Sequence, residues 1–223
     1  MLQISEIISQ TLKERQLQKQ QDYKQTSWHA SSLGSCLRGN YLQRLGVKPD
    51  KEFDDRTLRK FDSGNIFEEW AINLIEKNPE VLTVLRQHRV ESKIYNLSGK
   101  IDALVEYKDG TTEIIETKSS NNRAFWWMVQ NGNKPSRHHE YQLWVYLKLM
   151  NINSGRIVYI EKDYLSIQEY VVVLENKELA KEVIGYLTLL NEAWSKKDIT
   201  LLPLPDKKSW QSRFCRFHKQ CQK

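Results

Sequence analysis

An aspartate and a following Glu-x-Lys triplet are the residues whose types and spacing best suit chemistry. Asp102 lies in one predicted strand, and Glu116 and Lys118 lie in the next, with Asp109-Gly110 between them. Converging carboxylates can bind Mg²⁺, which takes few carboxylates and keeps water molecules for reaction. A metal lowers the pKa of its water for attack on a phosphodiester, and a nearby lysine can orient that water or neutralise developing charge. The pattern therefore predicts metal-dependent phosphodiester hydrolysis.

The length of the turn decides whether the two acids share a site, because successive strand residues point to opposite faces. A two-residue turn would place Asp102 opposite Thr117, with Glu116 on the other face. A three-residue turn, Lys108-Asp109-Gly110 with Gly110 left-handed, would place Asp102 opposite Glu116. We predict the second geometry, or a compensating bulge.

Apolar neighbours on both strand faces indicate that these strands are central: Ile101, Ala103, Leu104, Val105, Ile114 and Ile115. A bare carboxylate in such surroundings is strongly unfavourable unless it is paired or bound to metal. The competing interpretation is an exposed hairpin with an incidental Glu-x-Lys, which the triplet alone would favour.

The elements that must position these residues alternate between helices and strands. Helices are predicted at 2–24, 33–45, 62–77, around 124–128, 138–150 and 176–195, and strands at 88–95, 99–107, 112–118, 156–160 and 169–174. Ser31 or Ser32 is expected to cap the second helix and Gly46 to end it. The third should bury Phe67, Trp70, Ala71, Leu74 and Ile75. The order predicts one α/β domain.

The composition indicates the kind of partner and the cellular location to expect. The chain has 223 residues, a net charge of +6 and a pI of about 9.1, which suggests an anionic partner. No segment is apolar over the length of a membrane span, and the N-terminus lacks the pattern of a secretory signal. Three cysteines without a signal argue against a disulfide framework. We expect a cytoplasmic protein of a bacterial, archaeal or phage-infected cell.

Asp102 with Glu116-Thr117-Lys118 resembles the signature of the PD-(D/E)xK nuclease superfamily. Two further motifs resemble its RecB-like branch: Glu68, four residues after Gly64, and the Gln-x3-Tyr pair formed by Gln142 and Tyr146. The resemblance extends from about Ser31 to Cys221, and the order of the motifs is more specific than any one of them.

The resemblance implies a restriction-endonuclease-like core, a mixed central β-sheet flanked by helices, in a single domain over 1–223. A helical extension would occupy 1–30, and a basic, cysteine-bearing tail would occupy 203–223. It further implies one or two Mg²⁺ or Mn²⁺ ions held by Glu68, Asp102, Glu116 and the carbonyl of Thr117. Lys118 would assist the attacking water.

Gln142 and Tyr146, on one helix face, would contact the nucleic-acid backbone. Their competing interpretation is an amphipathic helix with a half-buried tyrosine. For Glu68 or its neighbour Glu69, the alternative is the solvated side of a helix.

The cysteines resemble those of iron–sulfur RecB-like nucleases, which include CRISPR-adaptation exonucleases and the nuclease domain of AddB. Cys36 has the early position, and Cys215 and Cys221 have the five-residue gap. Ser212 stands where a fourth cysteine is expected. Ser212, His218 or an outside ligand could complete a [4Fe–4S] cluster, and three cysteines with His218 would also suit zinc. Three unlinked thiols are the alternative. A cluster would attach the first helices to the tail.

Basic and aromatic residues are interleaved in two regions, a pattern that suits single-stranded nucleic acid through phosphate contacts and stacking. They are Arg123, Trp126, Trp127, Lys134, Arg137 and Trp144, and in the tail Lys207, Lys208, Trp210, Arg213, Arg216, Phe217, Lys219 and Lys223. Trp126 or Trp127 should be exposed. His138 and His139 are expected to be surface residues or phosphate contacts, and not metal ligands.

Together these features predict a metal-dependent DNA exonuclease that favours single strands or ends, in recombination, repair or CRISPR or phage DNA processing. One alternative is a non-catalytic DNA-binding subunit. Another is a cluster-stapled module whose tail recruits a recombination or CRISPR-adaptation protein.

Overall fold

The computed structural model describes residues 3–21, 25–206 and 215–221. The helices are α1 (Ile4–Gln21), α2 (Leu37–Arg44), α3 (Asp55–Glu76), α4 (Asn122–Gln130), α5 (Arg137–Met150) and α6 (Lys177–Lys196). The strands are β1 (Trp28–His29), β2 (Val81–Ser92), β3 (Leu97–Tyr107), β4 (Thr112–Ser120), β5 (Ser154–Glu161) and β6 (Ile167–Val173). The alternation of helices and strands therefore follows the predicted order.

The strands form one mixed sheet with β3 near its centre. Strand β2 pairs antiparallel along one edge of β3. The other edge of β3 pairs with β1 in parallel and, further along, with β4 antiparallel. Strands β4 and β5 are parallel and are connected through α4 and α5, and β6 pairs antiparallel with β5. Strands β3 and β4 are thus interior, as their apolar neighbours predict.

Helices cover both faces of the sheet. On one face, Ala71 and Ile72 of α3 pack against a core cluster that includes Ala103, Ile115 and Ile160. On the other, α5 and α6 contribute a larger cluster to which Leu143, Leu147, Leu179 and Leu190 belong, together with Ile114 and Ile157 of the sheet. None of the described helices is long and apolar enough to cross a membrane.

The hairpin between β3 and β4 has the predicted three-residue turn. The N–H of Tyr107 donates to the carbonyl of Thr111 at 2.9 Å, and Gly110 is left-handed with a φ of 86°. Ala103 pairs with Ile115, so one further step of the same register places Asp102 opposite Glu116. The turn therefore brings the two acids together without a bulge.

Several predicted boundaries differ from the structure. Helix α2 begins at Leu37 with Cys36 as its N-cap, because the expected caps, Ser31 and Ser32, belong to a short 3-10 turn. Helix α3 begins at Asp55, capped by Asp54, which is earlier than expected. Strand β2 also begins earlier, at Val81, and the two-residue strand β1 was not predicted.

The burial predicted for α3 is wrong at two positions. Trp70 and Leu74 are 37% and 52% exposed, whereas Leu58 and Ile72 are buried. Both exposed residues line a groove with Tyr107 and Ile167, where α3 leaves the sheet uncovered. Helical spacing alone could not show which part of the sheet α3 covers.

Candidate active site

Asp102 is joined to β4 through its side chain. Its Oδ2 accepts hydrogen bonds from the backbone N–H and the hydroxyl of Thr117, at 2.9 and 3.0 Å. The carboxylate thus bonds to the strand next to the one that carries it. This contact holds the Asp102 carboxylate beside Glu116, as the register of the hairpin predicted.

Glu116 is 1% exposed and forms an ion pair with Lys118 through Oε1. Its second oxygen, Oε2, is buried and has no hydrogen-bond donor among the described residues. A buried carboxylate oxygen without a donor is unfavourable, since its hydration is lost and not replaced. A cation at this oxygen would compensate for the lost hydration.

Glu68 reaches the same site from α3. Its Oε1 accepts a hydrogen bond from the side-chain amide of Gln87 in β2. Glu69, one residue further along the helix, is exposed. Sequence reasoning missed Gln87, because a polar residue at an exposed strand position gives no signal of a partner on a helix.

The pKa shifts show that the three acids share one electrostatic environment. Burial raises the pKa of Glu116 to about 8, opposed by Lys118 and reinforced by Asp102. Burial and the charge of Asp102 raise the pKa of Glu68 to about 7. Burial also raises the pKa of Asp102, against the charge of Lys118. Burial alone would lower the pKa of Lys118, but Glu116 and Asp102 raise it, so the lysine stays cationic.

Carboxylates that raise one another's pKa suit a hard divalent cation, which would offset both their burial and their mutual repulsion. Among the residues that the structure describes, no three carboxylates bring an oxygen each within 4.8 Å of one another. Each acid instead has its own donor: Thr117 for Asp102, Lys118 for Glu116 and Gln87 for Glu68. Small side-chain rotations would therefore accompany metal binding.

Gln142 and Tyr146 support the site from beneath it. Gln142 is 5% exposed and donates to the Tyr146 hydroxyl at 3.2 Å, and Tyr146 is 1% exposed and donates to the Lys100 carbonyl at 3.1 Å. The direct contact with a nucleic-acid backbone that we expected of this pair stays a prediction. The pair holds the strand segment that leads into Asp102.

His138 and His139 are half-buried rather than surface residues. His139 shares a hydrogen bond with the Tyr159 hydroxyl at 2.6 Å, and His138 shares one with the Ser136 hydroxyl at 2.7 Å. Burial and the charge of Lys118 lower the pKa of His138 to about 4 and that of His139 well below its usual value. Both rings are therefore neutral near pH 7, which weakens them as phosphate contacts.

Helix α4 begins one residue after the end of strand β4 and carries the two adjacent tryptophans. Trp127 is 66% exposed and Trp126 is 41% exposed, as their position on an amphipathic helix predicted. Asn121 separates the strand from the helix and caps it by accepting from the N–H of Ala124. Large aromatic surfaces are thus exposed within a few residues of Lys118.

The three cysteines come together although they are far apart in sequence. One sulfur from each of Cys36, Cys215 and Cys221 lies within 4.8 Å of the other two. The N–H groups of Gly39 and Phe217 each donate to a cysteine sulfur at 3.4 Å. Hydrogen bonds from the other two thiols lower the pKa of Cys36 to about 3. Close sulfurs with a low-pKa thiol suit a thiophilic metal or cluster.

Among the described residues, which include His218, no histidine or carboxylate joins this thiol group within the same distance. Ser212, the other residue considered for the fourth position, lies outside the described residues. So do Lys207, Lys208, Trp210, Arg213 and Lys223 of the basic tail.

The described part of the tail docks onto the segment around α2. The N–H of Lys219 donates to Asp50 at 2.8 Å, and Phe217 packs with Leu42 in a small core cluster. The buried Arg38 donates to the carbonyls of Leu202 and Cys221 at 3.1 and 3.3 Å. The tail is therefore attached by packing and hydrogen bonds as well as by the thiol group.

A mixed sheet between helical layers, with an Asp and a Glu-x-Lys on adjacent central strands, is the arrangement that the resemblance to PD-(D/E)xK nucleases predicted. Solved structures share this fold. The chain superposes on SSO0001 with a TM-score of 0.62, at 20% identity, over 97% of this chain and 94% of that one. An alkaline exonuclease from Laribacter hongkongensis gives a TM-score of 0.55 at 16% identity, over 81% of this chain and 97% of that chain.

The sequence is also similar to that of a known exonuclease. The CRISPR-associated exonuclease Cas4 of Saccharolobus solfataricus is 28% identical over 137 residues, which cover 61% of this chain and 57% of that protein. The match thus spans little more than half the length of that relative. No family model matches the sequence.

Proposed function

We propose that the protein is a metal-dependent DNA nuclease that acts as an exonuclease. The observation that carries the proposal is the buried, donor-less Oε2 of Glu116 beside the ion-paired Lys118, with Asp102 and Glu68 in electrostatic range. Both the alkaline exonuclease that shares the fold and the Cas4 relative are named as exonucleases. The alkaline exonuclease has also been solved with dAMP, a deoxynucleotide.

The acids Glu68, Asp102 and Glu116, with the carbonyl of Thr117, would hold Mg²⁺ or Mn²⁺. A bound cation of this kind lowers the pKa of its water and stabilises negative charge on a phosphate. Thr117 keeps Asp102 in place through two hydrogen bonds, and Tyr146 fixes the segment before it. Lys118 stays cationic, so its ammonium can orient the attacking water or neutralise charge that develops on the scissile phosphate.

Single-stranded DNA is the substrate that the exposed aromatic surface favours. Trp126 and Trp127 project from α4, directly beyond β4. Unpaired bases stack on such rings whatever their sequence, and cationic side chains contact the phosphates. The net charge of +6 is consistent with such a polyanionic ligand. The pathways we propose are recombination, repair or CRISPR or phage DNA processing in the cytoplasm, with a partner protein from one of them.

We also propose that the three thiols bind an iron–sulfur cluster or zinc, as a structural centre. A [4Fe–4S] cluster takes four protein ligands and structural zinc takes four, so a further ligand is needed in either case. Anaerobic purification followed by iron, sulfide and zinc analysis would identify the metal. Cys215→Ser should lose it.

The nuclease proposal is tested with end-labelled single-stranded and duplex DNA, incubated with Mg²⁺, Mn²⁺ or EDTA. We expect metal-dependent cleavage that shortens the DNA from an end and falls by about 100-fold or more in Glu116→Gln. Labels at the 5′ and 3′ ends distinguish the polarity. DNA binding without cleavage by the unaltered protein would instead favour the non-catalytic subunit. In a cluster-stapled module, Glu116→Gln would leave function intact and Cys215→Ser would abolish it.

A further inference from the structure

Gln87 lies in a β-strand but has a left-handed backbone conformation. Six non-glycine residues of the described chain have a positive φ, and five of these lie in turns, loops or helix C-caps: Asn96, Asn133, Asn151, Leu165 and Lys197. Gln87, with a φ of 52°, lies inside strand β2. L residues other than asparagine and aspartate rarely adopt this conformation, so the surrounding structure must impose it.

The location of Gln87 connects this strain to the proposed metal site. The residues on either side of it pair with the residues on either side of Asp102, so Gln87 lies opposite Asp102 across the β2–β3 ladder. Its side-chain amide donates to Oε1 of Glu68. Gln87 and Glu68 line a groove of about 400 Å³, together with Asn65 and Lys100.

Glu68 needs such a contact more than the other two acids do. Asp102 and Glu116 lie on adjacent strands and are tied to β4 residues, whereas Glu68 comes from α3 in a separate layer. The hydrogen bond from Gln87 links the Glu68 side chain to the sheet. A carboxylate can accept this bond on one oxygen and still present the other to a cation.

We infer that Gln87 is a positioning residue that holds Glu68 toward the acids of the sheet, and that its left-handed backbone directs the amide to Glu68. The inference rests on the proposed nuclease function, because it assigns Glu68 to the metal site. It concerns the affinity for metal, so it can be measured without DNA and without turnover.

The test compares Gln87→Gly with the unaltered protein in two measurements: Mn²⁺ binding by isothermal titration calorimetry, and the melting temperature in EDTA. Glycine adopts a positive φ without strain, so we expect an unchanged or higher melting temperature. Loss of the amide should weaken the Kd for Mn²⁺ by about tenfold or more. Gln87→Asn keeps an amide and tolerates the conformation, and should recover part of the affinity.

The matched control is Glu91→Gly, another exposed position of β2. It should lower the melting temperature and leave the Kd unchanged. If Gln87→Gly binds Mn²⁺ as tightly as the unaltered protein or more tightly, Gln87 does not position Glu68. A lower melting temperature together with weaker binding would assign it a structural role and also overturn the inference. In both cases, DNA cleavage by the unaltered protein would leave the proposed function standing. Failure of the unaltered protein to bind Mn²⁺ or cleave DNA would refute both.

Discussion

Glu116 and Lys118 form a buried pair that the stability of the fold does not by itself explain. Replacing a buried pair with apolar residues is often neutral or stabilising, so burial alone does not explain it. Here Lys118 contacts Oε1 of Glu116, and the other oxygen has no donor among the residues that the structure describes. The arrangement destabilises the metal-free protein and is expected to favour a bound cation.

The raised pKa of Glu116 predicts how the stability of the metal-free protein depends on pH. The carboxyl has a pKa of about 8 in the folded protein, above the usual 4.5. Between these values the unfolded chain is ionised while the folded protein keeps the proton. Stability is therefore fully present below about 4.5, falls as the pH rises, and levels off above 8.

Urea unfolding in EDTA between pH 5.5 and 8.5 measures this effect. One proton contributes a slope of about 1.4 kcal/mol per pH unit, and Glu116→Gln should remove it. Other groups titrate in the same range, so the difference between the two proteins is the relevant quantity. Parallel stability curves would show that Glu116 is already ionised in the fold.

At the scale of elements, the contact between α5 and β3 depends on a glycine. A Cβ on Gly99 would lie 2.5 Å from a ring carbon of Tyr146 and 3.0 Å from Cβ of Ala30. Tyr146 is 1% exposed and has no room to withdraw. The approach of the two elements, and with it the bond from Tyr146 to Lys100, therefore requires glycine at this position.

Gly99→Ala is expected to destabilise the protein by about 1–3 kcal/mol, because it overpacks a filled core. Gly185→Ala is the matched control, since Gly185 lies inside α6 with nothing within 4 Å of the added Cβ. That change should stabilise the helix by about 0.5–1 kcal/mol. Chemical denaturation of both variants checks the prediction, and a neutral Gly99→Ala would mean that Tyr146 can move.

The exposed tryptophans of α4 lead to a separate prediction about DNA binding. Trp127→Ala should weaken binding of single-stranded DNA by about 1–3 kcal/mol and affect duplex binding less. Trp70→Ala is the control, because Trp70 is also partly exposed but lies on α3, in the groove with Tyr107 and Ile167. Fluorescence anisotropy with catalytically inactive Glu116→Gln protein gives both affinities. Equal losses in the two tryptophan variants would argue against a stacking surface on α4.

The geometry of the β3–β4 hairpin was predicted correctly because its determinants are local. Asp109-Gly110 defines the turn, the turn defines the register, and the register brings Asp102 to Glu116. The exposure of Trp70 could not be predicted, because it depends on which part of the sheet α3 covers. The contact between Gln87 and Glu68 was also missed. It joins a helix to the sheet and depends on the left-handed backbone of Gln87, and neither feature is visible in the sequence.

At the scale of the whole molecule, the thiol group brings together two segments that lie far apart in the sequence. Cys36 caps α2, and Cys215 and Cys221 belong to the tail that docks against Asp50 and Leu42. A metal bound by all three would close a loop that includes strands β2 to β6. Such a link stabilises the fold chiefly by restricting the unfolded chain.

Removal of the metal proposed for the thiol group should therefore lower the melting temperature of the whole domain. We expect Cys215→Ser to melt several degrees below its parent, since each kcal/mol shifts the midpoint of a domain of this size by about 2–4 °C. The measurement is made in Glu116→Gln protein, so that metal at the acidic site does not contribute. Loss of metal with an unchanged melting temperature would show that the tail is held by packing alone.

The central claim is that Lys118 and the neighbouring acids form a catalytic centre, and single-turnover cleavage of end-labelled single-stranded DNA with Mn²⁺ tests it most directly. We predict that Lys118→Ala binds the DNA but cleaves it at least about 100-fold more slowly than the unaltered protein. Lys108→Ala, which removes an exposed lysine of the hairpin turn, should cleave at the normal rate. Equal cleavage rates in Lys118→Ala and Lys108→Ala would contradict the assignment of the active site.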